Sequence, residues 1–261
     1  MPPDLKPGRV RLVGAGPGAA DLLTVRALRA VESAQALLYD ALVTDEILAL
    51  APRACLKIRT GKRAGRAGSM KQETINRLML RLARRGPDVV RLKGGDPSIF
   101  GRVGEELEFL QAHGVETEVV PGVTAACAAA AQFGFPLTQR GEARRVVLTT
   151  ARLTEGALSA DWAAAADPEA TLAIYMGGAS AGEIAAALMS AGRSAGTPVQ
   201  IVESAGQPGA RQLFSGALRD LRSLAPALGD GPTLILVGDA VGRGAAAMDV
   251  PPRQASSSSG R

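Results

Sequence analysis

The stretch LKGGDPSIFGR, residues 92–102, leaves the apolar run Val89-Val90-Arg91-Leu92 with two glycines and then a carboxylate. Glycines at the carboxyl end of a strand let a ligand lie directly on backbone. In open α/β sheets, ligands collect at that edge. Asp96 suits a cationic or hydroxyl group there, and it suits equally well the capping of a tight strand-to-helix turn. A second stretch, GAGPGA at 14–19, also follows an apolar run. It matches the dinucleotide fingerprint formally, with Asp40 as the acidic residue about 20 residues on, which would imply a nicotinamide- or flavin-linked oxidoreductase. The match is poor, because in that fingerprint the helix opens within the glycine turn and its N-terminus meets the pyrophosphate. Here Pro17 and a cap at Thr24 delay the helix. A third stretch, KIRTGKRAGRAGSMKQ at 57–72, interleaves glycine with Lys57, Arg59, Lys62, Arg63 and Arg66. It reads as a loop, either a solvated one or one that closes over a ligand.

The elements that must position these residues alternate along the chain. Arg9–Val13, Val89–Leu92 and the alternating VETEVV read as strands, and 36–43 holds another apolar run. Thr24 caps a helix with Val25, Leu28 and Val31 on one face. ETINRLMLRLARRG repeats its apolar residues at helical spacing, with Gly86 as a stop. GEELEFLQAHG and PGVTAACAAAAQFG read as helices. A break falls near TQRGEARR, residues 138–145, and the alternation restarts with strands at 146–150, 171–176, 198–202 and 233–238. AGEIAAALMSAG and ALRDLRSLAPAL read as helices between them. The spacing predicts two α/β domains, 1–140 and 141–250, with a disordered low-complexity tail at 251–261.

Composition narrows the chemistry. The 261 residues carry a net charge of +5, which suits an anionic partner. Aromatics make up 3%, so stacking platforms for nucleic acid are scarce. Cys55 and Cys127 are the only cysteines and His113 the only histidine, which leaves almost nothing for a zinc site, a disulfide framework or a histidine-dependent triad. No metal ligand set is expected. The amino end lacks an apolar signal core and no apolar run is long enough to span a bilayer, so a soluble cytoplasmic protein is expected.

Taken together, VGAGPGAADLLT, YDALV, GKRAG, VVRLKGGDPSIFGRVGEE, VPGVTAA, PLTQRG, TLAIYMG and PTLILVG occur in an order and spacing that resembles the tetrapyrrole methylase family. KGGDP with GKR and YDALV points within it to the branch of uroporphyrinogen-III C-methyltransferases. The resemblance covers about residues 9 to 244. It implies an α/β fold of two αβα domains with a cofactor and substrate cleft between them. It implies binding of S-adenosylmethionine, release of S-adenosylhomocysteine, a homodimer, and conversion of uroporphyrinogen III to precorrin-2 by way of precorrin-1 for siroheme or cobalamin. A related methylase acting on a later corrin precursor is the alternative. The partner is then a small anionic tetrapyrrole, with neither nucleic acid nor membrane involved.

By resemblance, Asp40 matches the proton acceptor and Lys62 the proton donor. Lys62 and Arg63 suit equally well the binding of the substrate's carboxylates, since a lysine with an ordinary pKa of about 10.4 is a poor acid near neutrality. The cofactor positions that carry over are Pro17, Gly94, Gly95, Asp96, Ile99, Thr124, Ala125, Met176 and Ala205. Ile99 and Met176 read also as core packing. Ser98, Gln139, Thr150-Ala151 and Gln207 stand where the family has other residues, which bears on substrate fit and on the second methylation.

Overall fold

The computed structural model describes residues 8–61, 70–151, 165–223 and 231–243. Lys62, Arg63, most of the basic loop and the tail at 251–261 lie outside the described residues. By contacts the chain divides into two compact units, Met1–Ala129 with Ser204–Gln207, and Ala130–Glu203 with Pro208–Arg261.

The first unit is a five-stranded parallel sheet in the order β3-β2-β4-β1-β5. Its strands are β1 (Val10–Gly14), β2 (Ala36–Tyr39), β3 (Leu56–Arg59), β4 (Val89–Lys93) and β5 (Thr117–Val120). Alternation along β1 and β4 sends side chains to both faces. Val13, Val90 and Leu92 pack with Val31 of α1 (Val25–Glu32) and Ile47 of α2 (Asp45–Ala49). Leu12 and Val89 pack on the opposite face with Met79 of α3 (Gln72–Ala83) and Leu110 of α4 (Val103–Ala112). A sheet covered on both faces explains why its inner strands read as largely apolar runs, interrupted by Arg11, Arg91 and Lys93. The helix α5 (Ala125–Phe133) follows β5.

Thr24 is the N-cap of α1, its Oγ1 accepting from Ala27 N–H at 3.1 Å. The buried stripe of that helix is Ala27, Ala30 and Val31. Val25, expected on the packed face, is 64% exposed. The basic segment expected as a loop from residue 57 opens instead as β3. That edge strand takes its backbone partners from β2, and the side chains of Leu56, Lys57 and Arg59 stay exposed. Lysine and arginine there blunt an open edge, which disguises the strand in the sequence.

The second unit holds a mixed sheet in the order β6-β7-β10-β8-β9. β6 (Arg145–Thr150) and β7 (Ala170–Tyr175) run parallel; β10 (Thr233–Val237) is antiparallel to both β7 and β8 (Pro198–Glu203). The helix α6 (Ala181–Ser190) buries Ile184 and Leu188 on this sheet. The helix expected over ALRDLRSLAPAL does not start there. Ala217 ends an unanticipated strand, β9 (Arg211–Ala217), and Leu218–Ser223 forms a 3-10 turn. Leu218 and Leu221, three apart, are both fully buried, the spacing that a 3-10 turn aligns. Among the described residues no helix is long and apolar enough to cross a membrane.

Candidate active site

β1 lies between β4 and β5, so the loops leaving the carboxyl ends of these three strands emerge side by side. Their backbones touch. Ala15 N–H donates to Lys93 O at 2.7 Å, and Gly16 and Gly95 exchange N–H···O=C bonds of 3.2 and 2.6 Å. Gly122, after β5, approaches so closely that a side chain there would begin 2.3 Å from Gly95 O.

Asp96 ties these loops together. Its Oδ2 accepts from Gly122 N–H at 2.9 Å. Its Oδ1 accepts from Ser98 N–H at 2.8 Å and from the Ser98 hydroxyl, closing an Asx turn. Burial by itself pushes the Asp96 carboxyl up; the Ser98 hydroxyl and the Gly122 and Ser98 amides outweigh it and hold the carboxyl below its ordinary value. Both oxygens thus already serve the chain. Ile99 continues the turn, its N–H donating to Asp96 O at 3.2 Å, and is half-buried. Ser98, noted in the sequence as a departure, is here a structural partner of Asp96.

The two glycines of the KGGDP loop have different surroundings. Gly94 backs onto Leu42, whose Cβ would lie 2.8 Å from an added methyl, and its N–H donates to Asp40 Oδ2 at 3.2 Å. Gly95 has φ +70, and nothing lies within 4 Å of where its Cβ would be. Gly95 therefore offers the open backbone face. Asp40 stands at the end of β2, half-buried, with Oδ1 accepting from Leu42 N–H at 3.0 Å. Gly61, the residue before Lys62, packs against Asp40: a side chain there would begin 3.1 Å from the Asp40 Cα.

Pro17 is buried, and Gly206 packs against it so tightly that a methyl there would lie 2.1 Å from Pro17 Cγ. Ala19 N–H donates to Gly206 O at 2.9 Å, and Gln207 Nε2 to Pro17 O at 3.4 Å. These bonds bring buried Ala205 to the first glycine loop. Thr124 and Ala125 open α5 just beyond Gly122, both half-buried. The first unit thus gathers Pro17, Asp40, Gly94, Gly95, Asp96, Ile99, Thr124, Ala125 and Ala205 around one sheet edge. Met176 belongs to the second unit, at the end of β7. It is 52% exposed and held at φ +58. A methionine in the left-handed region, with its side chain in the open, is not the core packing its type suggests.

Sequence reasoning passed over the charges beneath this edge. Arg91 and Lys93 on β4 are buried with Glu106 on α4. Burial lowers the Lys93 ammonium from its ordinary value and Arg91 pushes the same way, while Glu106 and Asp40 pull it back. The available signal was two cations inside an otherwise apolar strand, with a glutamate one helix later.

The chain matches the family of Tetrapyrrole (Corrin/Porphyrin) Methylases over residues 9–222. A siroheme synthase of Zymomonas mobilis is 46% identical over 237 residues, 91% of this chain and 50% of that protein. The chain therefore spans about half the length of the curated relatives it matches. A uroporphyrin-III C-methyltransferase from Thermus thermophilus, solved with S-adenosyl homocysteine, aligns with a TM-score of 0.78 and 42% identity, covering 90% of this chain and 99% of that one. A cobalt precorrin-4 methyltransferase aligns with a TM-score of 0.78 and 29% identity, over 89% of this chain and 95% of that one. With its sequence matched from the first strand into the second sheet, and its fold aligned along the length of solved members, this chain belongs to the tetrapyrrole methylase family.

Proposed function

We propose that the protein is an S-adenosylmethionine-dependent C-methyltransferase that converts uroporphyrinogen III to precorrin-2 by way of precorrin-1, in siroheme or cobalamin biosynthesis. The observation that carries this reading is the 42% identity over 99% of a uroporphyrin-III C-methyltransferase. The loop geometry fits the cofactor: Gly95 leaves backbone uncovered at the carboxyl edge, where the loops carrying Pro17, Asp96, Ile99, Thr124, Ala125 and Ala205 also gather. These residues, with Gly94 and Met176, would hold S-adenosylmethionine. Bound there, it supplies a methyl group on a sulfonium whose leaving group is neutral.

The chain's own work is then to orient the ring carbon and to take a proton. The Asp40 carboxylate, held by the Gly94 and Leu42 amides, accepts the ring-nitrogen proton as the carbon bonds to the methyl. Lys62 and Arg63 bind the substrate's carboxylates, and Lys62 has the alternative role of proton donor. Asp96 serves the site chiefly by tying the loops together. The working form in this reading is a cytoplasmic homodimer, as the family resemblance implies.

The test is anaerobic incubation with S-adenosylmethionine and fresh uroporphyrinogen III, read by mass spectrometry. Two added methyl groups are expected, and they disappear in Asp40→Ala while S-adenosylhomocysteine still binds. A protein that binds the cofactor yet methylates nothing sinks the substrate assignment. One added methyl places the limit at the second step.

A further inference from the structure

The buried charges on β4 have an imbalance that involves Asp40. Glu106, fully buried on α4, accepts from Lys93 Nζ at 2.9 Å through Oε2, and from Arg91 Nε at 3.3 Å and Gln72 Nε2 at 3.0 Å through Oε1. Arg91 and Lys93 are each 4% exposed. Two buried cations against one buried carboxylate leave a positive charge over, and an unbalanced buried charge is costly. Asp40 is one of the carboxylates that act on this charge: after Glu106, it pulls the Lys93 ammonium back up. Tyr39 pairs with Leu92 in the parallel register of β2 and β4, so one step further Asp40 falls beside Lys93. The next amide, that of Gly94, donates to Asp40 Oδ2.

The Lys93 stem has little freedom, since a methyl at Gly101 would lie 3.2 Å from its Cε. The other charged groups on these elements have partners of their own, although Glu105 also feels the Lys93 charge. Glu105 of α4 pairs with Arg102 at 2.6 Å, and Arg59 of β3 donates to Gly61 O at 3.3 Å.

We infer that Lys93 is a positioning residue for the methyl transfer: clamped by Glu106, it supplies the buried positive charge that seats the Asp40 carboxylate on the Gly94 amide, ready to accept a proton. This rests on the reading of Asp40 as the proton acceptor. Lys93 itself makes no bond to the substrate, and the proton passes from the ring nitrogen to Asp40.

The experiment compares kcat/KM against pH for the full chain and for Lys93→Met, Lys93→Arg and Asp40→Asn. Losing a nearby cation moves the acid limb of a carboxylate base upward, so Lys93→Met shifts it by about one pH unit. On the acid side of the limb kcat/KM falls about tenfold as the base is protonated over more of the range, while the neutral-pH plateau changes little. The KM for S-adenosylmethionine stays unchanged, and Lys93→Arg restores the acid limb. A residue that merely braced the fold would lower the melting temperature and leave the limb in place; that outcome overturns the inference. If Lys93→Met does not fold, Lys93→Gln, whose amide can still donate to Glu106 without carrying charge, is read in its place. An inactive Asp40→Asn beside an unmoved limb rejects Lys93 alone, whereas a fully active Asp40→Asn rejects the base assignment and this inference with it.

Discussion

Two glycine loops leave neighbouring strands of the first sheet, and they have opposite surroundings. The loop after β1, GAGPGA, carries the more familiar pattern and is filled from outside by its own chain. A side chain at Gly18 would begin 2.5 Å from Gln207 Cγ, one at Gly16 3.0 Å from Leu22 O, and Pro17 lies against Gly206. The loop after β4 carries the less familiar KGGDP and leaves Gly95 bare on its outer side. The dinucleotide fingerprint also needs a helix opening in the glycine turn, and here a short 3-10 turn at Ala20–Leu22 intervenes before α1 starts at Val25. Glycine thus has two settings in one edge: close packing of the protein on itself in the first loop, an uncovered backbone face in the second.

That contrast can be broken at its strongest point first. Gly206→Ala puts a methyl 2.1 Å from Pro17 Cγ at a residue with φ +76. Overpacking and left-handed strain together cost about 3 kcal/mol. Denaturant unfolding at neutral pH reads this loss, and a variant as stable as the parent ends the claim that the first loop is closed by packing. Gly95→Ala makes the complementary case. Its added methyl meets no protein atom, so only the strain of φ +70 acts on stability, about 1 kcal/mol. Calorimetric titration of S-adenosylhomocysteine, however, is expected to show at least a tenfold weaker affinity, equivalent to about 1.4 kcal/mol. Unchanged affinity would move the cofactor away from this face.

Asp96→Asn tests the tie between the β4 and β5 loops. The variant keeps the shape and loses the charge, for about 1 kcal/mol at neutral pH. Because the folded carboxyl titrates below its ordinary value of 3.8, its contribution is complete above that value and fades as the pH falls through the lower, folded one. The difference in melting temperature between parent and variant should therefore persist down to about pH 4 and shrink below it. A constant difference would show that the carboxylate's charge is irrelevant. The smallest effect belongs to Gln207→Ala, which removes a 3.4 Å bond to Pro17 O for about 0.5 kcal/mol. Hydrogen exchange at Ala19, whose amide is held by Gly206 O, should rise without any loss of the fold.

Much of the site was legible because its signals are short in sequence. Asp96 and Ser98 sit two apart, and the glycines follow directly on a run of buried strand residues. Asp40 was legible in its place at a strand end but not in its bond to Gly94, 54 residues away. Gln207 is a departure from the family whose role the sequence does not show. It lies 190 residues from the carbonyl it reaches.

The sequence by itself determined the local pieces: the Thr24 cap, the apolar strands of both sheets, the turn at Asp96 and the glycine pair of KGGDP at a strand end. Each depends on backbone preference or side-chain periodicity acting within a few residues, so the neighbours suffice to specify it. Only the tertiary structure decided which glycine is bare, that β3 and β9 are strands, that β10 runs antiparallel to β7 and β8, and that Lys93 is buried against Glu106. Those outcomes depend on strand order and on the balance of charge in a buried space, where residues far apart in the chain settle one another's cost.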